Sequence, residues 1–119
     1  MEEKADTAPP EPPRLLEERT VQVNGIDLYY RVYGQGPPLL LLHGFFGTSE
    51  FWAPYVNEFA REYRTIVPDL RAHGRSTDPA NEFSHPQVTL DIYGLLKKLQ
   101  KLDYTGPVAL MCYGIGGDA

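Results

Sequence analysis

Hydrophobic and polar residues alternate on both sides of Asn24-Gly25, from about residue 20 to residue 33. Alternation with a period of two is typical of a half-buried β-strand. Asn-Gly supplies the positive φ angles that a two-residue hairpin turn requires. The pattern therefore predicts two antiparallel strands joined by a tight turn at Asn24-Gly25.

Three short segments after the hairpin are predicted to be strands, at residues 39–42, 65–67 and 108–111. Pro38 and His43-Gly44 bound the first, and Gly106-Pro107 precedes the last. Residues 39–42 form a continuous apolar run, which is typical of a strand that is buried on both faces.

Two helices are predicted between these segments. The first is capped by Thr48 or Ser49, and its residues at three- and four-residue spacing are interpreted as core rather than as a cofactor site: Trp52, Tyr55, Val56, Phe59 and Tyr63. The second begins at His85-Pro86, and its apolar stripe consists of Val88, Ile92, Leu95, Leu96 and Leu99. The order strand, helix, strand, helix, strand predicts an α/β fold with parallel pairing.

Residues 1–18 differ in composition from the rest, because they carry six carboxylates, four prolines and only two sizeable apolar residues, Leu15 and Leu16. Such a segment buries too little apolar surface to offset the entropy of ordering it. We therefore expect a disordered, acidic, proline-rich leader at 1–18 and one partial α/β domain at 19–119.

Composition narrows the classes of function. The chain has 119 residues and a formal net charge of −5, which argues against nucleic acid as a partner. Its single cysteine, Cys112, cannot form an intrachain disulfide, and no apolar run is long enough for a membrane span. The N-terminus lacks the basic start and apolar core of a secretory signal, so a cytoplasmic location is expected.

Two strand ends carry candidate chemistry. In the first, Gly44 follows a buried strand, and a glycine there allows the next backbone N–H groups to turn toward a reacting oxygen, as in an oxyanion hole. In the second, small residues stand two positions before and two positions after the apex of a turn at residues 112–116. This spacing suits a strand that reverses sharply into a helix, where there is little room for side chains.

Together these features resemble the N-terminal half of α/β-hydrolase superfamily enzymes, over about residues 20 to 117. The resemblance rests on His43-Gly44-Phe45, the helix with Trp52, the segment 69–76 with Asp69, Arg71, His73 and Gly74, and the turn ending in Gly116-Gly117. It implies a mostly parallel sheet, here truncated after the fifth strand. It also implies that the backbone N–H groups of Phe45 and Ile115 form the oxyanion hole.

The same resemblance places Gly114 where the family carries its nucleophile, usually a serine. Glycine tolerates the strained backbone of that position but supplies no nucleophile. Ala72 also stands where the family commonly has glycine. The family places its acid and its histidine after later strands, so the 119-residue chain is expected to be inactive by itself.

Several alternatives stay open for individual residues. Cys112 is an alternative nucleophile, although placing it at the apex would put Leu110 where a small residue is needed. His43 and His73 are candidate general bases or residues that shape their loops. Asp69 and Arg71 are candidates for substrate binding or for an ion pair that braces the loop.

The last turn has a second interpretation as a dinucleotide-binding fingerprint, because residues 114–119 also match the pattern G-x-G-x-x-A. That fingerprint usually follows the first strand of a domain and needs an acidic residue about 20 positions later. No metal or organic cofactor is implied by the remaining residues.

Two functions are therefore predicted. The first is a hydrolase of ester, amide or related bonds that acts on a small-molecule substrate once a C-terminal half completes it. The second is a non-catalytic hydrolase-like scaffold that binds a protein partner, or a second copy, through an exposed sheet edge.

Overall fold

The computed structural model describes residues 15–44 and 47–101, and the backbone of residues 109–112. Within these residues, five strands form one sheet: β1 (Leu15–Val23), β2 (Ile26–Tyr33), β3 (Pro38–Leu42), β4 (Arg64–Pro68) and β5 (Ala109–Cys112). Their spatial order is β1-β2-β4-β3-β5. The helices are α1 (Val56–Ala60) and α2 (His85–Lys101), and a 3-10 helix spans Ser49–Trp52.

The N-terminal hairpin is confirmed. β1 and β2 are antiparallel, Val23 pairs with Ile26, and the turn between them has φ angles of 49° at Asn24 and 82° at Gly25. β1 begins at Leu15, whose ladder partner is Tyr33. The expected leader boundary at residue 18 is therefore too late, because β2 offers backbone partners along its whole length. Residues 1–14 of that leader lie outside the described residues.

The parallel part of the sheet is also confirmed, since β3 pairs in parallel with both β4 and β5. The last strand was predicted at 108–111 and is observed at Ala109–Cys112. The chain thus has the predicted α/β fold class, with an antiparallel hairpin followed by parallel strands.

The first predicted helix is shorter than expected and is divided. Thr48 caps the 3-10 helix by accepting the N–H of Glu50 on its hydroxyl, and α1 starts only at Val56. Pro54 lies between the two pieces and has no N–H with which to continue the hydrogen-bond pattern. The second helix starts at His85 as predicted.

Core residues occupy both faces of the sheet, as alternation along β3 illustrates. Leu40 and Leu42 pack in the cluster that includes Val88, Ile92, Leu95 and Leu99 of α2. Leu39 and Leu41 pack on the opposite face, with Trp52 and Val56. The prediction that residues 39–42 are buried on both faces is confirmed. Neither described helix is long and apolar enough to cross a membrane.

Candidate functional site

The carboxyl ends of β3 and β5 lie side by side, because Leu42 is the ladder partner of Cys112. Parallel neighbours are about 4.8 Å apart, so these two strands end at the same edge of the sheet. Ligands bind at that edge in α/β sheets. The strands that lead into the two junctions singled out from the sequence thus end next to each other.

Several predicted site residues lie outside the described part of the chain. They are Phe45, Gly114, Ile115, Gly116 and Gly117, and for Cys112 only the backbone is described. The assignments of the oxyanion donors and of the nucleophile position therefore stay predictions.

His43 follows β3 directly and is completely buried, with 0% of its surface exposed. Its Nε2 accepts the backbone N–H of Leu70 at 2.9 Å, and its Nδ1 lies 2.6 Å from the carbonyl oxygen of Gly44. Burial lowers the pKa of His43; the Gly44 carbonyl and Asp69 oppose that effect, and the neighbouring His73 adds to it. A ring without solvent exposure and with both nitrogens engaged is poorly placed to take a proton from a substrate.

Asp69, just after β4, accepts hydrogen bonds from two different segments of the chain. Its Oδ1 accepts the N–H of Ser49 at 2.5 Å and its Oδ2 accepts the N–H of Arg75 at 3.0 Å. Gly74 packs against this carboxylate with a φ of 53°, and a Cβ there would lie 2.3 Å from Oδ2. Backbone geometry and close approach thus both require glycine at position 74.

Arg71 is 1% exposed, and its partners differ from the one expected. Its guanidinium donates to both carboxylate oxygens of Asp91 at 2.8 and 2.9 Å and to Asp78 at 2.9 Å. Since the Asp69 carboxylate accepts backbone N–H groups instead, the predicted ion pair between Asp69 and Arg71 is wrong. The loop after β4 is instead held by α2, through the ion pair between Arg71 and Asp91.

Arg71, Asp78 and Asp91 form a buried ion cluster, in which the two carboxylates compensate the charge of the guanidinium. Hydrogen bonding to Asp91 raises the pKa of Arg71 further above its ordinary value, with burial opposing and Asp78 adding to the shift. Burial would raise the pKa of Asp78, but the N–H of Glu82 and the Arg71 guanidinium together lower it. The Nη2 of Arg71 also donates to the carbonyl oxygen of Asn24 at 3.2 Å, which joins the hairpin turn to the same cluster.

Sequence reasoning missed Asp91 as a partner, although a signal was present. Asp91 is three residues after Val88 and four before Leu95, within the apolar stripe of α2. A carboxylate on the buried face of a helix requires a charged or hydrogen-bonding partner. The sequence could therefore have suggested Arg71, the only arginine in the segment 69–74, as the partner of Asp91.

The rings of His73 and His43 are tilted by 55° to each other with centroids 5.2 Å apart, and the ring of Phe83 lies 5.4 Å from that of His73. The His73 Nδ1 is 2.9 Å from the carbonyl oxygen of Arg71. His43 and His73 are therefore neighbours. Across residues 15–44 and 47–101, no three His, Cys, Asp or Glu side chains form a cluster that could hold a metal ion.

Comparison with known proteins agrees with this architecture. The profile of the alpha/beta hydrolase fold matches residues 37–114. An epoxide hydrolase from Caballeronia sordidicola is 39% identical over 88 residues, which cover 71% of this chain and 27% of that protein. A fluoroacetate dehalogenase from Burkholderia sp. is 39% identical over 70 residues, covering 59% of this chain and 23% of that protein.

Solved structures give the same result. The crystal structure of an epoxide hydrolase from Vigna radiata superimposes with a TM-score of 0.77 at 32% identity, covering 86% of this chain and 33% of that one. The epoxide hydrolase CorEH gives a TM-score of 0.77 at 28% identity, covering 85% and 34%. The chain thus spans between 23% and 34% of the length of these relatives, and it belongs to the α/β-hydrolase fold family.

Proposed function

We propose that this chain supplies the oxyanion loop of a hydrolase and the turn at which its family carries the nucleophile, with epoxides as the substrate class. The observation that carries the proposal is the pairing of Leu42 with Cys112. It supports a site in which residues after β3 stabilise a developing oxyanion while the residue at 114 faces the reacting carbon. The names of the similar epoxide hydrolases favour epoxides over the esters and amides that the family resemblance alone implied.

Gly114 limits what the chain does by itself, because glycine has no side chain to form a covalent intermediate. Loss of the nucleophile typically lowers turnover about a million-fold, leaving about a thousand-fold over water from the oxyanion hole and binding. We expect the 119-residue chain to show no measurable turnover of epoxides or activated esters.

A chimera tests the proposal directly. Residues 1–119 are joined to the part of the Caballeronia sordidicola epoxide hydrolase that follows its matched region, with Gly114→Ser or Gly114→Asp, since hydroxyls and carboxylates both serve as nucleophiles. We expect the folded Gly114→Asp or Gly114→Ser chimera to open an epoxide or cleave an activated ester, and the Gly114 chimera to do neither. A folded product in which neither variant exceeds the Gly114 control contradicts the proposal.

Self-association is the second candidate function. Among the described strands, β5 stands at one end of the sheet, with β3 as its neighbour on one side. A strand in that position can pair with a strand of another molecule. Sedimentation of the 119-residue chain over a hundredfold range of concentration tests this: a defined dimer supports it, and a monomer throughout contradicts it.

A further inference from the structure

The hairpin turn at Asn24-Gly25 combines a labile sequence with access to solvent. Asparagine is one of the chemically labile residues, and a glycine after it leaves the next backbone nitrogen unshielded, because glycine has no Cβ. Both residues are exposed, and no described atom outside the turn lies within 4 Å of where a Cβ of Gly25 would be. A cavity of about 280 Å³, lined by residues 22–27, opens beside the turn. Water therefore has access to this asparagine.

The reaction available to this pair is deamidation, which needs no reactant besides water. The backbone nitrogen of Gly25 attacks the side-chain Cγ of Asn24. The side-chain nitrogen leaves as ammonia and takes the proton of the Gly25 N–H with it, so that a cyclic succinimide remains. Water then adds to one of the two carbonyl carbons of the ring and breaks its bond to nitrogen. The product at position 24 is aspartate or isoaspartate, according to which carbonyl reacts.

Asn24 contacts the buried ion cluster through its side chain and through its backbone. Its Nδ2 donates to the Oδ1 of Asp91 at 3.1 Å, and its carbonyl oxygen accepts from Arg71 at 3.2 Å. Arg71 is already paired with Asp78 and Asp91, and the Glu82 carboxylate lies 3.8 Å from its guanidinium. The carboxylates therefore outnumber the single cation. Deamidation replaces the donor to Asp91 with a charged oxygen, which that carboxylate repels.

Isoaspartate disturbs the turn through the backbone as well, because it adds one methylene to the main chain. Only two residues join the ladder partners Val23 and Ile26, so a longer main chain alters their pairing. Val23 also packs closely on α2, where a Cβ at Gly94 would lie 3.2 Å from the Val23 Cβ. We propose that Asn24 is a site of spontaneous deamidation, and that its products release the hairpin turn from Asp91 and loosen the contact of the hairpin with α2.

The first experiment measures the modification itself. The 119-residue chain is incubated at mildly alkaline pH, and samples are digested with trypsin and analysed by mass spectrometry. Trypsin places Asn24 in peptide 20–31, and it places Asn57 and Asn81 in two other peptides. These two asparagines are internal controls, because a glutamate follows each of them. We expect the mass increase of an NH2-to-OH exchange, together with isoaspartate, in peptide 20–31 before either control changes. Equal rates at the three asparagines, or an unchanged Asn24, overturn the proposal.

The second experiment measures the structural consequence by amide hydrogen exchange in α2. Asn24→Asp introduces the charge, whereas Asn24→Gly removes the same hydrogen bond without a charge and suits the positive φ of this position. We expect faster exchange in Asn24→Asp than in Asn24→Gly. Equal exchange in the two variants overturns the proposal.

A double variant separates repulsion from general disruption of the turn. Asn24→Asp combined with Asp91→Asn restores one amide and one carboxylate to this contact in exchanged positions. Its exchange in α2 should be slower than the two single variants predict together. A double variant in which the effects of the two substitutions simply add overturns the proposal. If Asn24→Asp alone does not fold, return of protection in the double variant supports the proposal, and continued loss of protection overturns it.

Discussion

At the scale of single residues, Ala72 has an unusual backbone. Its φ is 69°, in the left-handed region that costs a residue with a Cβ about 1 kcal/mol or more. The family resemblance suggested that glycine is common at this position, and the positive φ gives the physical reason. Ala72 is exposed, so its side chain contributes little packing in return.

Replacing this residue tests the strain. We expect Ala72→Gly to raise the free energy of unfolding by about 0.5–1 kcal/mol, measured by urea denaturation. Ala53 is a matched control, because it is also exposed but has φ −50° and ψ −43°. Ala53→Gly should instead lower the stability by about 0.5–1 kcal/mol. Equal effects of the two substitutions would show that position 72 is unstrained.

His43 makes the stability of the fold depend on pH. Its pKa is lowered by burial and by His73, with Asp69 and the Gly44 carbonyl opposing, and its ordinary value is about 6.5. Between the lowered pKa and 6.5 the unfolded chain binds more protons at this site than the folded chain. Stability is therefore complete above about pH 6.5 and is lost as the pH falls below it.

The contribution of His43 can be isolated by comparing the pH dependence of urea unfolding between pH 8 and 5. His43→Gln should reduce the slope below pH 6.5, by at most about 1.4 kcal/mol per pH unit. The control is His85→Gln, at an exposed position at the start of α2. Identical slopes in the wild type and His43→Gln would contradict this role.

At the scale of elements, the buried ion cluster holds α2 against the loop after β4. The side chains of Arg71 and Asp91 are each 1% exposed, and that of Asp78 is 4% exposed. A buried charge that loses its partner costs far more than an exposed one, because it cannot be solvated in place. The cluster is therefore expected to control how this loop sits at the sheet edge.

Asp91→Asn keeps the shape of the side chain and removes its charge. We expect it to lower the free energy of unfolding by about 3 kcal/mol, since Arg71 stays buried with less compensation. Glu58→Gln is the control, because Glu58 forms an exposed pair with Arg61 at 3.9 Å. That control should change stability by less than about 0.5 kcal/mol. A loss of less than 1 kcal/mol in Asp91→Asn would show that solvent reaches Arg71.

Most elements of the fold could be predicted from sequence, because each carries a local signal. Asn24-Gly25 specifies the hairpin turn, and the apolar run at residues 39–42 specifies a strand enclosed on both faces. The division of the first helix was missed because periodicity outweighed Pro54. The start of β1 at Leu15 was missed because its partner strand, not its own composition, decides it.

The candidate site was harder to predict, because its contacts join residues far apart in the sequence. His43 and Leu70 are 27 positions apart, and Arg71 and Asp91 are 20 apart. Spacing identified each motif but not its partners, so Arg71 was paired with the nearby Asp69 instead of Asp91. Only the tertiary fold brings such residues together.

At the scale of the whole molecule, the central claim is that β3 and β5 lie in register within one chain, so that the two junctions form one site. Cys112 is the only cysteine of the chain and the ladder partner of Leu42. Parallel ladder partners lie within the Cα separation of about 4.4–6.8 Å that a disulfide tolerates. Adjacent residues of a strand point to opposite faces of the sheet.

The most direct test is therefore oxidation of Leu42→Cys, followed by mass spectrometry and a count of free thiols. We predict an intrachain disulfide with Cys112 and no free thiol. Leu41→Cys, equally buried in the same strand, should keep its thiols under the same conditions. A disulfide in Leu41→Cys but not in Leu42→Cys, or disulfides only between molecules, would contradict the register and with it the proposed site.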